Sequence, residues 1–197
     1  SICLAPTQEA EPEEDLVFDW AGEAVRCAGT CVHGWLLTIA AQGLHLWDSS
    51  RGHRLRPVFV RQLLHLGVRE TDVDQVADLV QQALETTIAH DLGCWILAPH
   101  IQAGNEYALT GQLAGSITSV VMDRTFVDES DVRWIIDYKT SRHEGRDVQG
   151  FLDREKIRYQ KQMESYARLM QAMETRSIRL GLYFPLLSGW RAWTFWP

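Results

Sequence analysis

The stretch Trp134-Ile-Ile-Asp-Tyr-Lys-Thr140 constrains the fold more than any other. Three bulky or β-branched apolar residues in a row suit a buried strand. They run directly into Asp137, Tyr138, Lys139 and Thr140. Side chains alternate across a strand, so Asp137 and Lys139 point one way and Tyr138 the other. A carboxylate and an ammonium at the end of a core strand are costly unless they are paired or used. A second apolar run, Ser119-Val-Val-Met-Asp-Arg124, also ends in a carboxylate, Asp123. The short link between the two runs predicts a hairpin.

The rest of the chain is organised around that hairpin. Residues 1–16 are acidic and contain proline, which predicts a linker or disordered tail. Residues 17–197 then form one domain, a size that buries a real core. A first helix is predicted from about Trp20 to Gln42, ending at Gly43. Its apolar positions Val25, Ala28, Val32, Leu36 and Ile39 follow helical spacing, with His33 on the flank and Gly29 one turn before it. A glycine within a helix costs about 1 kcal/mol relative to alanine, so Gly29 implies a close approach by another segment. Residues 44–56 read as a loop, and a short helix follows over Val58–Leu66. Gly67 ends it, Thr71 can cap the next helix, and that helix covers about Asp72–His90. Cys94–Ala98 suits either a strand or a helical turn.

From Asn105 the period changes to two. Glu106–Gly111, Ser116–Arg124 and Val132–Lys139 suit strands, with turns at Gly111–Gly115 and Asp128–Asp131. A loop around Ser141–Arg146, a long helix over Val148–Met173 and strands at Ile178–Phe184 and Trp190–Trp196 complete the order. Helices, three strands, a helix and two strands imply the α/β or α+β class, with a mixed central β-sheet flanked by helices.

Charge and cysteine content narrow the function. The formal net charge is −7, and residues 9–15 alone carry five negative charges. Such a balance lacks the basic footprint of a protein that captures nucleic acid unaided. The four cysteines, Cys3, Cys27, Cys31 and Cys94, match no zinc spacing. They read as thiols of a reducing, cytoplasmic compartment. No signal peptide is expected in residues 1–10, nor an apolar run that spans a membrane.

Two carboxylates and a lysine on adjacent strands have a definite chemical use. Cleaving a phosphodiester requires a nucleophilic water, relief of charge in the transition state and help for the leaving oxygen. Mg²⁺ provides these and prefers carboxylate oxygens. Asp123 and Asp137 are the candidate metal ligands, with the backbone carbonyl of Tyr138 as another. Lys139 is placed to orient water or stabilise charge. His33 is a possible nitrogen ligand, and Glu106 opens a strand nearby. Gln162 and Tyr166, four apart on the long helix, share a face and suit phosphate contact or support of Lys139. Each has a plainer alternative: an ion pair for Asp137–Lys139, a satisfied helix histidine, a surface glutamate and an amphipathic helix.

Taken together, these residues resemble the RecB-like nuclease domain of the PD-(D/E)xK superfamily. The closest likeness is to the domain that ends bacterial UvrD-type helicases such as the RecB and AddA subunits. Gly29-Thr-Cys-Val-His33 resembles the first motif of that family, and Glu106 falls where a glutamate often precedes the core hairpin. Met122-Asp-Arg124 with Asp137-Tyr-Lys-Thr140 resembles the central motif, and Gln162-x-x-x-Tyr166 the helix motif that follows. The resemblance implies a restriction-endonuclease-like core. It also implies a Mg²⁺-dependent DNA exonuclease, with Mn²⁺ able to substitute, acting in DNA end processing and recombinational repair. His33, Asp123 and Asp137 would bind metal, and Lys139 would be catalytic, with Glu106 a further member. Gln162 and Tyr166 would contact DNA or support the site. The partners implied are a single DNA strand threaded from an attached helicase motor and a second subunit, and no membrane. No iron–sulfur cluster is expected, because no cysteine follows Cys94, and no Walker A pattern is present. Where this family often has glycine before its first aspartate, Ser119-Val-Val-Met122 stands instead. The competing expectation is a catalytically inactive module that keeps the fold to guide DNA or dock a partner.

Overall fold

A computed structural model describes residues 14–113, 115–141 and 145–196. It is a mixed α/β fold, with a five-stranded sheet that carries helices on both faces. Of the linker or tail expected over residues 1–16, residues 1–13 lie outside the described residues, and residues 14–16 belong to helix α1, Glu14–Gln42.

The apolar stripe of α1 is buried at Ala24, Cys27, Ala28, Cys31, Val32, Leu36 and Ile39. Val25 lies outside the core, at 36% exposed. Gly43 ends the helix at φ +93°, and its N–H donates to the Ile39 carbonyl at 2.9 Å. By length and composition Gly22–Gln42 is apolar enough to cross a membrane, which corrects the expectation that no such stretch exists. Its apolar stripe is turned into the protein core.

Helix α2 spans Ser49–His65, so the expected loop over 44–56 is corrected. Asp48 supplies the missing signal: its carboxylate accepts the Arg51 N–H at 2.7 Å and starts the helix before the arginines. The helix runs through Pro57. Helix α3 spans Val73–Ala89 without a side-chain cap. Thr71 does not cap it, because its hydroxyl donates to Asp72 Oδ2 instead. Cys94–Ala98 resolves as helical, within or just after α4, Asp91–Leu97.

Strands β1 (Ile101–Leu113) and β2 (Ser116–Val127) are longer than predicted, and β3 spans Arg133–Tyr138. Asp128 builds the predicted hairpin turn. Its carboxylate accepts the N–H groups of Ser130 and Val132 and the indole N–H of Trp134. Helix α5 (Val148–Gln171) crosses over to β4 (Ile178–Phe184), and β5 (Gly189–Thr194) returns. The sheet order is β1-β2-β3-β4-β5. Among the described residues only β3 and β4 pair in parallel, from Arg133↔Ile178 to Tyr138↔Tyr183.

Alternation along β3 divides the core. Trp134, Ile136 and Tyr138 join α1–α4 on one face, and Ile135 joins α5 on the other. Each large side chain so buried stabilises by about 1.5–3 kcal/mol. Cys27 and Cys31 are buried free thiols and Cys94 is a partly buried one. Their sulfhydryls donate to Leu66 O, Gln62 Oε1 and Ile88 O. Cys3 lies outside the described residues.

Candidate active site

The site forms where β2 and β3 part. Their pairing runs from Val127↔Arg133 to Arg124↔Ile136 and stops one step before Asp123 and Asp137. Asp123 replaces the missing ladder bond, because its Oδ2 accepts the Tyr138 N–H at 2.7 Å. Arg124 pins this end of β2. Its buried guanidinium donates to the carbonyls of Ile96 and Ala98 and to Asn105 Oδ1. Met122 is fully buried in the cluster around α5, so the departure at Ser119–Met122 leaves the strand well packed.

Trp134, Ile135 and Ile136 are buried and hold Asp137 in place. As the pleat predicts, Asp137 and Lys139 share a face, with Lys139 Nζ 2.6 Å from Asp137 Oδ2. The contact is close, yet Oδ2 is buried and lacks a hydrogen bond of good geometry. Burial, and after it the neighbouring Asp123 charge, push the Asp137 carboxyl up to about 6 against the opposing pull of Lys139. For Lys139, burial lowers the pKa but the charge and contact of Asp137 outweigh it, and the net shift is upward.

α1 brings His33 over the same point. Its Nε2–H donates to the Tyr138 carbonyl at 2.9 Å, and its Nδ1 lies 3.6 Å from Asp123 Oδ2. Burial pulls the His33 pKa down, while Asp123, Asp137 and the Tyr138 carbonyl more than reverse it. Gly29 makes this approach possible. A Cβ there would stand 2.7 Å from Thr140 Oγ1, which is the close contact expected of that glycine. A cleft of about 640 Å³ opens above, lined by α1, Tyr138–Ser141, Arg158 and Tyr159.

Four predicted residues therefore meet: His33, Asp123, Asp137 and Lys139, with the Tyr138 carbonyl among them. Tyr166 is buried at their edge, and Gln162 Nε2 donates to its hydroxyl. Burial and then the charge of Asp137 raise the Tyr166 pKa, with the Gln162 bond opposing. Glu106 falls opposite Asp123 in the β1–β2 register, between the pairs Asn105↔Arg124 and Tyr107↔Met122. It is exposed, and no polar contact among the described residues joins it to either aspartate. Its backbone sits at φ +44°, a left-handed conformation that costs a non-glycine residue about 1–2 kcal/mol. The faces of β1 and β2 switch there. Arg124 and Phe126 turn toward α4 and its neighbours, whereas Tyr107 and Met122 turn toward α5.

Tyr159 was not anticipated. Its ring lies 3.8 Å from Lys139 Nζ, a cation–π contact that steadies the ammonium. Glu155, buried one turn earlier, accepts from Ser141 Oγ and Arg158. The spacing Glu155-Tyr159-Gln162-Tyr166 is one helical stripe, and extending the Gln162–Tyr166 pair toward the N-terminus would have found both.

Two neighbouring carboxylates, the buried one with Lys139 as its partner, suit a divalent cation. His33 donates its Nε2–H to the Tyr138 carbonyl, which leaves its Nδ1, on the Asp123 side, and the second lone pair of that carbonyl open to a cation. Among the described residues no three His, Cys, Asp or Glu side chains stand ready as a metal cage. No known family model matches the chain, and no curated protein is significantly similar to it.

Proposed function

We propose that this chain is a Mg²⁺-dependent DNA nuclease, an exonuclease domain of a helicase–nuclease that processes DNA ends for recombinational repair. The observation that carries this reading is the convergence of Asp123, Asp137, Lys139 and His33, from three separate elements, with His33 and Lys139 lining one open cleft. The restriction-endonuclease-like core and membership of the PD-(D/E)xK superfamily belong to the same proposal, on the motifs Gly29–His33, Asp123, Asp137–Lys139 and Gln162–Tyr166.

In this reading Asp123 and Asp137 hold the cation. The bound ion supplies charge relief at the phosphate and a more acidic water. Lys139, steadied between Asp137 and the Tyr159 ring, stabilises developing negative charge at the scissile phosphate. His33 orients Tyr138 and Asp123, and Tyr166 with Gln162 borders the site. The acidic balance of the chain fits a strand delivered by a motor in the cytoplasm.

A second reading, a docking or DNA-guiding module without activity, is favoured by the lack, among the described residues, of a ready three-ligand cage. A nuclease assay separates the two. Cleavage of single- and double-stranded DNA is followed with Mg²⁺ or Mn²⁺ for the wild type, Asp137→Ala and Lys139→Ala. Activity in the wild type and its loss in both variants supports the nuclease. Equal activity in all three sinks the catalytic assignment, and inactivity of the folded wild type favours the docking module.

A further inference from the structure

Helix α2 has a composition at odds with the rest of the chain. It carries Arg51, Arg54, Arg56, Arg61, His53 and His65, and no Asp or Glu, in a protein of net charge −7. Arg56 is occupied by Asp74 and Asp78. Arg54 and Arg61 are exposed, and among the described residues no salt bridge joins either to a carboxylate. Their side chains fall on one flank of the helix, beside His65. The neighbouring stripe, Arg51, Leu55, Gln62 and Leu66, faces α1 across a groove of about 580 Å³.

The opposite wall is made by Thr30, Cys31, Gly34, Trp35 and Thr38 of α1. Trp35 is held in place at several points. Its indole N–H donates to Gln62 Oε1 at 2.7 Å, and its ring packs edge-on against Trp47 and Phe59. It remains part-exposed to the groove. Arg51 lies 4.3 Å over the Trp47 ring and is tied to Gln42 and the Leu46 carbonyl. Gly34 leaves the wall low, with nothing near its missing Cβ. Thr30 lines both this groove and the catalytic cleft, so the two meet at one turn of α1.

Arg54 donates to Ser50 Oγ at 2.7 Å, and that single neutral bond leaves its charge exposed. A rigid aromatic surface beside exposed cations held in no salt bridge is what single-stranded nucleic acid needs. Bases stack on the ring without sequence preference, and phosphates follow the cations. Resting on the nuclease reading above, we propose that the α1–α2 groove binds single-stranded DNA. Trp35 stacks a base, Arg54 and Arg61 contact phosphates, and the strand passes Thr30 into the cleft. The groove names the substrate as a single strand, because a duplex has its bases stacked internally and cannot present one to Trp35. So few phosphate contacts give binding that is weak at physiological salt and strong only when salt is low.

The test measures binding of a fluorescein-labelled dT12 by anisotropy, in EDTA so that no cleavage occurs, at several salt concentrations. The Arg54→Ala/Arg61→Ala protein is expected to bind about tenfold more weakly at low salt, with a salt slope lower by about 1.4, roughly 0.7 for each phosphate left unneutralised. In parallel, dT12 carrying one 5-iodouracil is photo-crosslinked, and Trp35 is expected to carry the adduct. Binding indifferent to the double substitution, adducts only outside α1 and α2, or equal binding of a duplex overturns the groove. Cleavage is assayed separately with Mg²⁺. Wild-type inactivity with binding that still depends on Arg54 and Arg61 sinks the nuclease reading alone. Full activity with indifferent binding sinks the groove alone.

Discussion

Strand β3 carries two buried charges on one face, Arg133 at its start and Asp137 four residues on, and they are treated in opposite ways. Arg133 is fully committed. Its Nε donates to Glu174 Oε1 at 2.6 Å, and its other nitrogens reach Glu174 Oε2, the Gln102 carbonyl and the Gln102 side chain. Glu174 in turn accepts from Arg176, which also pairs with Asp131. Asp137 has a single charged partner, Lys139, with its Nζ 2.6 Å from Oδ2. A saturated network holds a fold together and offers nothing to a ligand. An unsaturated one stores an unmet electrostatic demand, which is how sites of chemistry are built. The difference separates the structural ion pair from the candidate catalytic one, although the two look alike in sequence.

The largest expected effect breaks that comparison at its reactive end. Lys139→Ala or Asp137→Asn should lower Mg²⁺-dependent cleavage by on the order of 10²–10³-fold or more, measured as single-turnover rates on single-stranded DNA. Circular dichroism should show both proteins folded. If instead they unfold while Glu174→Ala abolishes cleavage, the roles of the two networks are exchanged.

At the other end, Glu174→Ala leaves Arg133 buried without its carboxylate. The expected loss is about 3 kcal/mol in chemical denaturation, with the residual folded protein still active. The pH dependence carries the same sign. Burial raises the Glu174 pKa, but Arg133 and Arg176 overcome it, so the folded value lies below the unfolded one. Its stabilisation is therefore present above the ordinary carboxylate range near pH 4 and lost as pH falls through the folded value. Acid unfolding curves of wild type and Glu174→Gln should converge there.

Asp137 titrates the opposite way. Its folded pKa of about 6 lies above its unfolded value, so its contribution is fully present below pH 4 and is lost as pH rises past 6. Asp137→Asn should thus raise stability by on the order of 2 kcal/mol at pH 7.5 and leave it unchanged at pH 3.5. A Tm that shifts equally at both pH values would show that Asp137 is as well compensated as Arg133.

The smallest effect concerns the lid of the cluster. A helical Gly→Ala change ordinarily stabilises by up to about 1 kcal/mol. At Gly29 the new Cβ meets Thr140 Oγ1, so Gly29→Ala should gain nothing in Tm and lose severalfold in cleavage rate. Adding Thr140→Ala should recover the helix stabilisation.

The hairpin, the mixed sheet and the long helix were legible because two-residue and three-and-four-residue periods are strong over those stretches. The meeting of His33 with Asp123 and Lys139 was legible only through motif order, since no local pattern relates residue 33 to residue 138. The start of α2 was missed because one cap, Asp48, outweighs the loop-like composition that follows it. Glu106 was placed near the hairpin correctly, but its positive φ turns on tertiary twist, which composition does not encode. Tyr159 was missed because an aromatic at a helical position usually packs in a core, and its contact with Lys139 exists only once α5 crosses the sheet.

The parallel pairing of β3 with β4 has a consequence for how the molecule acquires its site. Every other strand pair is closed by a short turn, so those contacts form early and at little entropic cost. β3 must wait for the whole segment from Lys139 to Ser177 to fold back before β4 covers it. Until then the apolar edge of Trp134–Ile136 is open to pairing with another chain. The strand that carries the candidate site is thus also where newly made protein is open to aggregation.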